Sequence, residues 1–246
     1  MSCRRTSARK RRRRRRGMDR KAVEQHRLAL FGRMVMGVAH EVDNQLSVVL
    51  GFAELIQASR GGEKHALDGA GKILSAGEKI ASIIKKFSYY VRPHEPVVEP
   101  FSLSSVLSEL AVFSRYDLGR GNVTLAMPGE DAECRMRGDS RDFALALLAV
   151  LLNGTEAMAG KGGTLAVDVF PREGAWHVTI ADEGIGISPA IMPRIFEVGF
   201  TTKTSSFHSG MGLPVARQIL SGMGGEISVE NRSSGGCLTT ICVPAV

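Results

Sequence analysis

Apolar residues recur at helical spacing through the first part of the chain. Between Asp19 and Gln57 there is no proline, and eight apolar side chains fall within roughly 40° of Val42 on a helix that turns about 100° per residue. They are Leu28, Phe31, Val35, Val38, Leu46, Val49, Ala53 and Ile56. The pattern predicts one long helix with a single buried stripe.

A second segment with helical periodicity runs from about His65 to Val91. Its apolar positions are Ile73, Ile80, Ile83, Ile84 and Phe87. The intervening Arg60-Gly61-Gly62 predicts a tight turn, so the two helices form an antiparallel hairpin. One such pair leaves wide apolar faces in water, and we therefore expect two hairpins to associate as a four-helix bundle in a homodimer.

Pro93, Pro96 and Pro100 indicate a hinge, after which strands alternate with helices and 19 of the 28 glycines lie at or beyond Gly119. The patterns predict helices at 102–114, 140–158, 189–196 and 213–221, and strands at 122–126, 133–137, 164–170, 175–181, 226–230 and 238–243. Strands joined as hairpins with helices between them indicate an α+β sandwich with its helices on one face of a mixed sheet.

These patterns divide the chain into a basic tail at 1–17, a helical hairpin at 18–92, a hinge at 93–100 and an α/β domain at 101–246. The tail holds ten Lys and Arg and no acid, and without those ten charges the formal net charge of +7 becomes −3. The folded part is therefore mildly acidic. Such an Arg-rich tail is expected to be disordered. Two explanations of it stay open: a start codon assigned upstream of the true one, with Met18 directly after the tail, or a basic arm that binds nucleic acid or an acidic membrane.

Composition narrows the remaining classes of protein. A content of 43% apolar and 23% charged residues is typical of globular domains, and the longest apolar run is too short for a membrane span. No apolar stretch follows the basic N-terminus, which argues against a secretory signal. The four cysteines lack CxxC spacing, so we expect free thiols and a cytoplasmic location.

His40 lies about 160° from the centre of the apolar stripe, so the pattern predicts that it faces solvent. Gly37 and Gly51 share this outer face, which indicates room for another group to approach. Glu41 is adjacent, and Asn44 lies one turn further along the same face. A surface histidine on an ordinary dimerisation helix is the alternative from this segment alone.

Three further clusters suit a phosphate-bearing ligand. Asp182 begins an Asp-Glu-Gly-Ile-Gly run where a predicted strand ends, and a carboxylate there can accept a hydrogen bond from an amino group. Ser209 to Leu213 is glycine-rich and leads into a helix, whose N-terminus favours phosphate. Asn153 ends the apolar helix and could contribute its amide oxygen to a magnesium shell. Each cluster alone also fits a turn or a cap.

Taken in order, five segments resemble the motifs of bacterial two-component sensor histidine kinases. MGVAHEVDNQLSVVLGFAELI resembles the phosphoacceptor H-box, LLAVLLNGTEAM the N-box, and IADEGIGIS the first glycine box. RIFEVGFTTK resembles the F-box with the ATP lid, and SGMGLPVARQIL the second glycine box. The resemblance runs from about residue 25 to the C-terminus. It implies a dimerising hairpin followed by a GHKL-type (Bergerat) ATP-binding domain.

The resemblance also implies roles for individual residues. His40 would be phosphorylated, Glu41 would orient and deprotonate its imidazole, and Asn44 would support dephosphorylation of the partner. Asn153 would bind Mg²⁺, and Asp182 would bind the adenine amino group. The nucleotide pocket and lid would be shaped by Gly184, Gly186, Gly210 and Gly212. Lys203 would reach the phosphates of ATP, with a solvated lysine as the alternative.

Ala149 departs from this family pattern, because it stands one turn before Asn153 where a polar residue, most often asparagine, is usual. Both positions share one helix face. From the sequence we therefore expect weak ATP binding or slow phosphorylation, and a gain on Ala149→Asn.

The sequence thus predicts an ATP-dependent protein-histidine kinase that phosphorylates His40 and passes the phosphoryl group to an aspartate of a separate response regulator. One alternative is a catalytically weak phosphotransfer or scaffold protein of the same pathway. A second is a nucleic-acid-binding protein that acts through the Arg-rich tail, for which salt-dependent binding lost on deletion of residues 1–17 is required.

Overall fold

The computed structural model describes residues 19–58, 63–128, 134–203 and 209–245. Its α-helices are α1 (Arg20–Arg33), α2 (Val35–Ala58), α3 (Glu63–Val91), α4 (Leu103–Arg120), α5 (Ser140–Ala157) and α6 (Gly212–Gly222). Its strands are β1 (Glu99–Ser102), β2 (Val123–Ala126), β3 (Arg135–Gly138), β4 (Gly163–Arg172), β5 (Ala175–Ala181), β6 (Glu226–Asn231) and β7 (Cys237–Pro244). The basic tail and the Arg60-Gly61-Gly62 turn lie outside the described residues.

Five strands form a mixed sheet in the order β2-β4-β5-β7-β6. Only the pair β2 and β4 is parallel within it. Helices α4, α5 and α6 pack against this sheet and against one another. The expected mixed α/β sandwich is therefore confirmed. Strands β1 and β3 form a separate antiparallel pair, and β1, which the sequence did not predict, occupies the end of the expected 93–100 hinge.

Helix α5 forms the centre of the sandwich. Asp139 caps its N-terminus, because the Oδ1 atom accepts hydrogen bonds from the backbone N–H groups of Arg141 and Asp142 at 3.0 and 2.9 Å. The apolar run from Phe143 to Leu152 is buried all round. A helix with no exposed apolar face is rigidly held, so the residues at its C-terminal end have fixed positions.

Helices α2 and α3 pack side by side and run in opposite directions. A Cβ atom on Gly69 would lie 2.8 Å from the side chain of Ile56, and the Lys72 ammonium lies 4.6 Å from the ring centroid of Phe52. From the first contact to the second, the position falls from Ile56 to Phe52 on α2 and rises from Gly69 to Lys72 on α3. The two helices are therefore antiparallel. Among the described residues, no helix is long and apolar enough to cross a membrane.

The prediction of one helix from Asp19 to Gln57 is wrong at Met34, where the backbone turns between α1 and α2. Met34 and Phe31 are fully buried in the core, whereas Leu28 and Val35 of the expected stripe are about half exposed. Packing of α1 against the sandwich therefore overrides the continuous helical period.

Buried Arg27 attaches α1 to the sandwich. Its guanidinium forms an ion pair with Asp142 and donates hydrogen bonds to the backbone oxygens of Tyr90 and Arg141 at 3.4 and 3.2 Å.

The helix expected at 189–196 is a single 3₁₀ turn, Met192–Arg194, and the helix expected at 102–114 continues to Arg120.

Candidate functional site

A cavity of about 840 Å³ opens between α1, the C-terminal half of α5, the end of β5 and the start of α6. Six of the residues predicted to bind nucleotide line it. They are Asn153, Asp182, Gly186, Lys203, Gly210 and Gly212. Four separate segments of the chain are thus brought to one cavity of a size that suits a nucleotide.

The C-terminal end of α5 supplies oxygen ligands to this cavity. Lys203 Nζ lies 3.3 Å from Oδ1 of Asn153 and forms an ion pair with Glu156. Asn153 and Glu156 are three residues apart and share a helix face. Amide and carboxylate oxygens are ligands that Mg²⁺ prefers, so these two residues fit the ion that the resemblance implies. The contact also favours a role for Lys203 in the site over a solvated lysine.

Asp182 immediately follows β5 and is 7% exposed. Its Oδ1 atom accepts hydrogen bonds from the backbone N–H groups of Gly184 at 2.9 Å and Cys237 at 3.1 Å. Among the described residues, both of these bonds are made to Oδ1, which leaves Oδ2 for a ligand. The carboxylate is therefore held rigidly at the wall of the cavity, where it can accept a hydrogen bond from an amino group.

Two glycines permit close backbone approaches beside the cavity. A Cβ atom on Gly184 would lie 2.6 Å from the Cβ atom of Ala157, so Gly184 packs on the end of α5 and does not itself line the cavity. Gly210 has a φ of +64°, and a Cβ atom there would lie 2.6 Å from the backbone oxygen of Phe200. Larger residues at either position would displace the loops that form the cavity wall.

His40 lies on α2 and is exposed, as the helical pattern predicted. Its ring centroid is 6.0 Å from that of Tyr116 on α4. Arg115 of the same helix donates a hydrogen bond of 2.7 Å to Oε2 of Glu41. Gly37 makes this contact possible, because a Cβ atom there would lie 2.9 Å from the backbone oxygen of Phe113.

The outer face of α2 is therefore approached by α4 at Gly37, while Gly51 has open space around it. Asn44, one turn beyond His40, is exposed. Among the described residues that line the cavity, none belongs to α2. The residues that line the cavity and His40 thus form two separate groups.

The sandwich also matches known proteins. Residues 138–246 match the family described as histidine kinase-, DNA gyrase B-, and HSP90-like ATPase. The matched region holds α5, α6 and four of the five strands of the mixed sheet. The resemblance to two-component histidine kinases with a GHKL-type ATP-binding domain is confirmed by this match together with the curated relatives of the chain.

Two of these relatives are bacterial kinases. Sporulation kinase A of Bacillus subtilis is 25% identical over 223 residues, which are 90% of this chain and 36% of that protein. Sensor histidine kinase ZraS of Salmonella typhimurium is 27% identical over 224 residues, which are 89% of this chain and 47% of that protein. The chain thus spans less than half the length of either relative.

Solved structures support the fold. The catalytic domain of histidine kinase ThkA has a TM-score of 0.55 and 23% identity, over 61% of this chain and 96% of that one. ThkA in complex with the response regulator protein TrrA has a TM-score of 0.52 and 20% identity, over 91% of this chain and 64% of that one.

The sequence of this chain did not predict three polar side chains at the cavity, which are those of Glu156, Arg33 and His26. Glu156 could have been found from its position one turn after Asn153. Arg33 of α1 forms an ion pair of 2.5 Å with Glu156, and His26 of α1 lines the cavity. No local motif indicates Arg33 or His26, because their positions depend on how α1 packs against the sandwich.

Proposed function

We propose that this protein is an ATP-dependent protein-histidine kinase that phosphorylates His40 and transfers the phosphoryl group to an aspartate of a separate response regulator. The observation that carries the proposal is the convergence of Asn153, Asp182, Lys203 and the start of α6 on one cavity. An ATPase-family region on the same chain as an exposed histidine with an adjacent carboxylate is suited to histidine phosphorylation.

The chemistry requires a neutral imidazole at His40. A neutral imidazole carries a lone pair on one ring nitrogen, and that nitrogen is the nucleophile. A ring nitrogen attacks the γ-phosphorus of ATP, an N–P bond forms, and the bond from that phosphorus to the ADP oxygen breaks. Glu41, the next residue along the chain, would accept the proton from the other ring nitrogen once its carboxylate is released from Arg115.

The nucleotide site supplies position and charge. Asn153 and Glu156 would hold Mg²⁺, which neutralises phosphate charge when it is bound. Lys203 adds a positive charge beside the same oxygens. Asp182 would accept a hydrogen bond from the adenine amino group, while Gly186, Gly210 and Gly212 allow backbone to approach the nucleotide and Gly184 packs the loop against α5. Phosphoryl transfer depends chiefly on the positioning of the reacting groups and on the neutralisation of phosphate charge.

A homodimer is the form in which we expect the chain to act. Helices α2 and α3 expose several large apolar side chains, including Leu46, Leu50, Leu55, Leu67 and Leu74. Burial of such a face in a second copy produces a four-helix bundle and removes the apolar surface from water. The hairpin at 18–92 would then be the dimerisation and phosphoacceptor domain, and 101–246 the ATP-binding domain.

We expect the cavity of one chain to phosphorylate His40 of its partner in the dimer. At an ATP concentration too low to saturate Asp182→Asn chains, we expect a mixture of His40→Gln chains with Asp182→Asn chains to incorporate far more label than either variant alone. The label is expected only on the Asp182→Asn chain, which keeps His40. Mass difference or an affinity tag on one chain distinguishes the two.

The mixture has a matched control, in which subunits are exchanged between two preparations of the same variant. A folded, mixed dimer that stays unlabelled would contradict transfer across the dimer and favour transfer within one chain.

A response regulator is the expected phosphoryl acceptor. ThkA, which shares the fold, was solved in complex with a response regulator protein. The exposed face of α2 that carries His40 and Asn44 is the proposed docking face for a receiver domain, because His40 must reach the aspartate of the regulator. The scaffold alternative predicts no ATP turnover. Incubation with γ-labelled ATP, followed by a test for an acid-labile and base-stable label, distinguishes the two functions.

Asn44 is expected to support dephosphorylation of the regulator. Its exposed amide lies one turn beyond His40 and could hold a water molecule beside an aspartyl phosphate. Loss of one hydrogen bond to such a charged group predicts at least a roughly tenfold slower dephosphorylation for Asn44→Ala. Release of phosphate from the purified phosphorylated regulator measures this rate.

Autophosphorylation at His40 serves as the internal control for Asn44→Ala, because this substitution leaves the nucleotide cavity intact. A folded Asn44→Ala protein that dephosphorylates the regulator at the full rate would exclude this role.

A further inference from the structure

Three side chains surround the first residue of α6 inside the cavity. A Cβ atom built on Gly212 would lie 3.6 Å from Cβ of Ala149, 3.8 Å from Nδ2 of Asn153 and 4.0 Å from Nε2 of His26. Two of these side chains come from α5 and one from α1. The imidazole of His26 therefore reaches the region where Ala149 presents only a methyl group.

The imidazole of His26 is buried without a hydrogen-bond partner. The residue is 8% exposed, and neither Nδ1 nor Nε2 has a partner within the part of the chain that the structure describes. Burial lowers the pKa of His26 to about 4, so the ring is neutral at pH 7, with one N–H donor. A buried polar group without a partner costs free energy, which a ligand in the cavity would recover.

The N-terminus of α6 makes this region favourable for phosphate. Met211 precedes the helix and makes no side-chain hydrogen bond to its first turn. The free backbone N–H groups and the helix dipole at this end both attract an anion.

The position of His26 is fixed by its neighbour on α1. Arg27 is fully buried and bound to Asp142, to the backbone oxygen of Arg141 in α5 and to that of Tyr90 in α3. An ion pair thus joins α1 to the first turn of α5, and it helps to hold the adjacent His26 at the cavity wall.

We propose that His26 donates a hydrogen bond to a phosphate oxygen of the bound nucleotide and thereby supplies from α1 the polar contact that Ala149 lacks. This assignment rests on the proposed ATP-binding function. The expectation of weak ATP binding considered only residues of α5. With His26 included, the site is completed by a residue of α1, which precedes the phosphoacceptor helix α2.

The proposal predicts that His26 matters only for ligands that carry phosphates. In the full chain, His26→Ala should weaken binding of Mg²⁺ with AMPPNP, and of ADP, by roughly tenfold to a hundredfold. Binding of adenosine should stay unchanged. Titration calorimetry measures the three dissociation constants. The matched control is His65→Ala, which removes an exposed histidine of α3.

A second pair of variants separates the hydrogen bond from loss of packing. His26→Gln retains an N–H donor and should recover most of the AMPPNP affinity. Ala149→Asn should restore binding in the His26→Ala chain by more than it improves binding in the unaltered chain. A double-mutant cycle over positions 26 and 149 gives this difference.

Three outcomes would overturn the assignment. Equal AMPPNP affinity in folded His26→Ala and unaltered chains removes His26 from the site. Tighter binding in His26→Ala shows that α1 blocks the cavity instead of completing it. Absence of AMPPNP binding to the unaltered, folded chain overturns the proposed function as well as the assignment.

Discussion

Replacement of His40 by glutamine is expected to reduce the incorporation of phosphate from ATP to background. His40 is the exposed histidine that combines an outward position on α2 with an adjacent carboxylate. Glutamine retains hydrogen bonding but lacks a nucleophilic ring nitrogen. Labelling with γ-labelled ATP measures the loss, and the label on the unaltered chain should be labile in acid and stable in base.

The same substitution should leave nucleotide binding unchanged, because no described residue that lines the cavity belongs to α2. His65→Gln provides the matched control, since it removes an exposed histidine from the partner helix of the hairpin. Full labelling of a folded His40→Gln chain would show that another residue accepts the phosphoryl group.

Local sequence patterns predicted most of the sandwich and the nucleotide cavity. Helix α5 was predictable from its continuous apolar run, and β4 and β5 from strand composition. Because glycines, a strand end and a helix start are local features, they indicated Asp182, Gly210 and Gly212 before any long-range packing was known.

The position of α1 was not predictable in this way. Its helical period continues through Met34 into α2, so periodicity alone gives no signal for the interruption there. Buried Arg27 decides the direction of α1 through an ion pair with Asp142, more than a hundred residues away. Helical periodicity does not reveal tertiary contacts of this kind, and the cavity contacts of Arg33 and His26 depend on them.

The contact between α2 and α4 shows a similar limit. The glycine at position 37 indicated that another group approaches the outer face of α2, and the structure identifies that group as Phe113 and Tyr116 of α4. The pairing of Glu41 with Arg115 could not be predicted, because surface ion pairs depend on the relative position of whole elements.

Replacement of Asp182 by asparagine is expected to weaken ATP binding by roughly tenfold to a hundredfold or more. The carboxylate is almost fully buried, and Oδ1 is already held by two backbone N–H groups. An asparagine can keep those two bonds through its amide oxygen, but it then presents an NH₂ group to the adenine amino group. Two donors facing each other lose a charge-assisted hydrogen bond worth about 1.5–3 kcal/mol and leave a buried donor unpaired.

This substitution tests the adenine contact against a merely structural role. If Asp182 binds the adenine amino group, Asp182→Asn should weaken ATP far more than ITP, whose base carries an oxygen in place of that amino group. A structural role predicts equal weakening of both nucleotides. Competition against a fluorescent ATP analogue, with the thermal unfolding midpoint as a check on the fold, measures the ratio, and an unchanged ATP-to-ITP preference would remove Asp182 from adenine recognition.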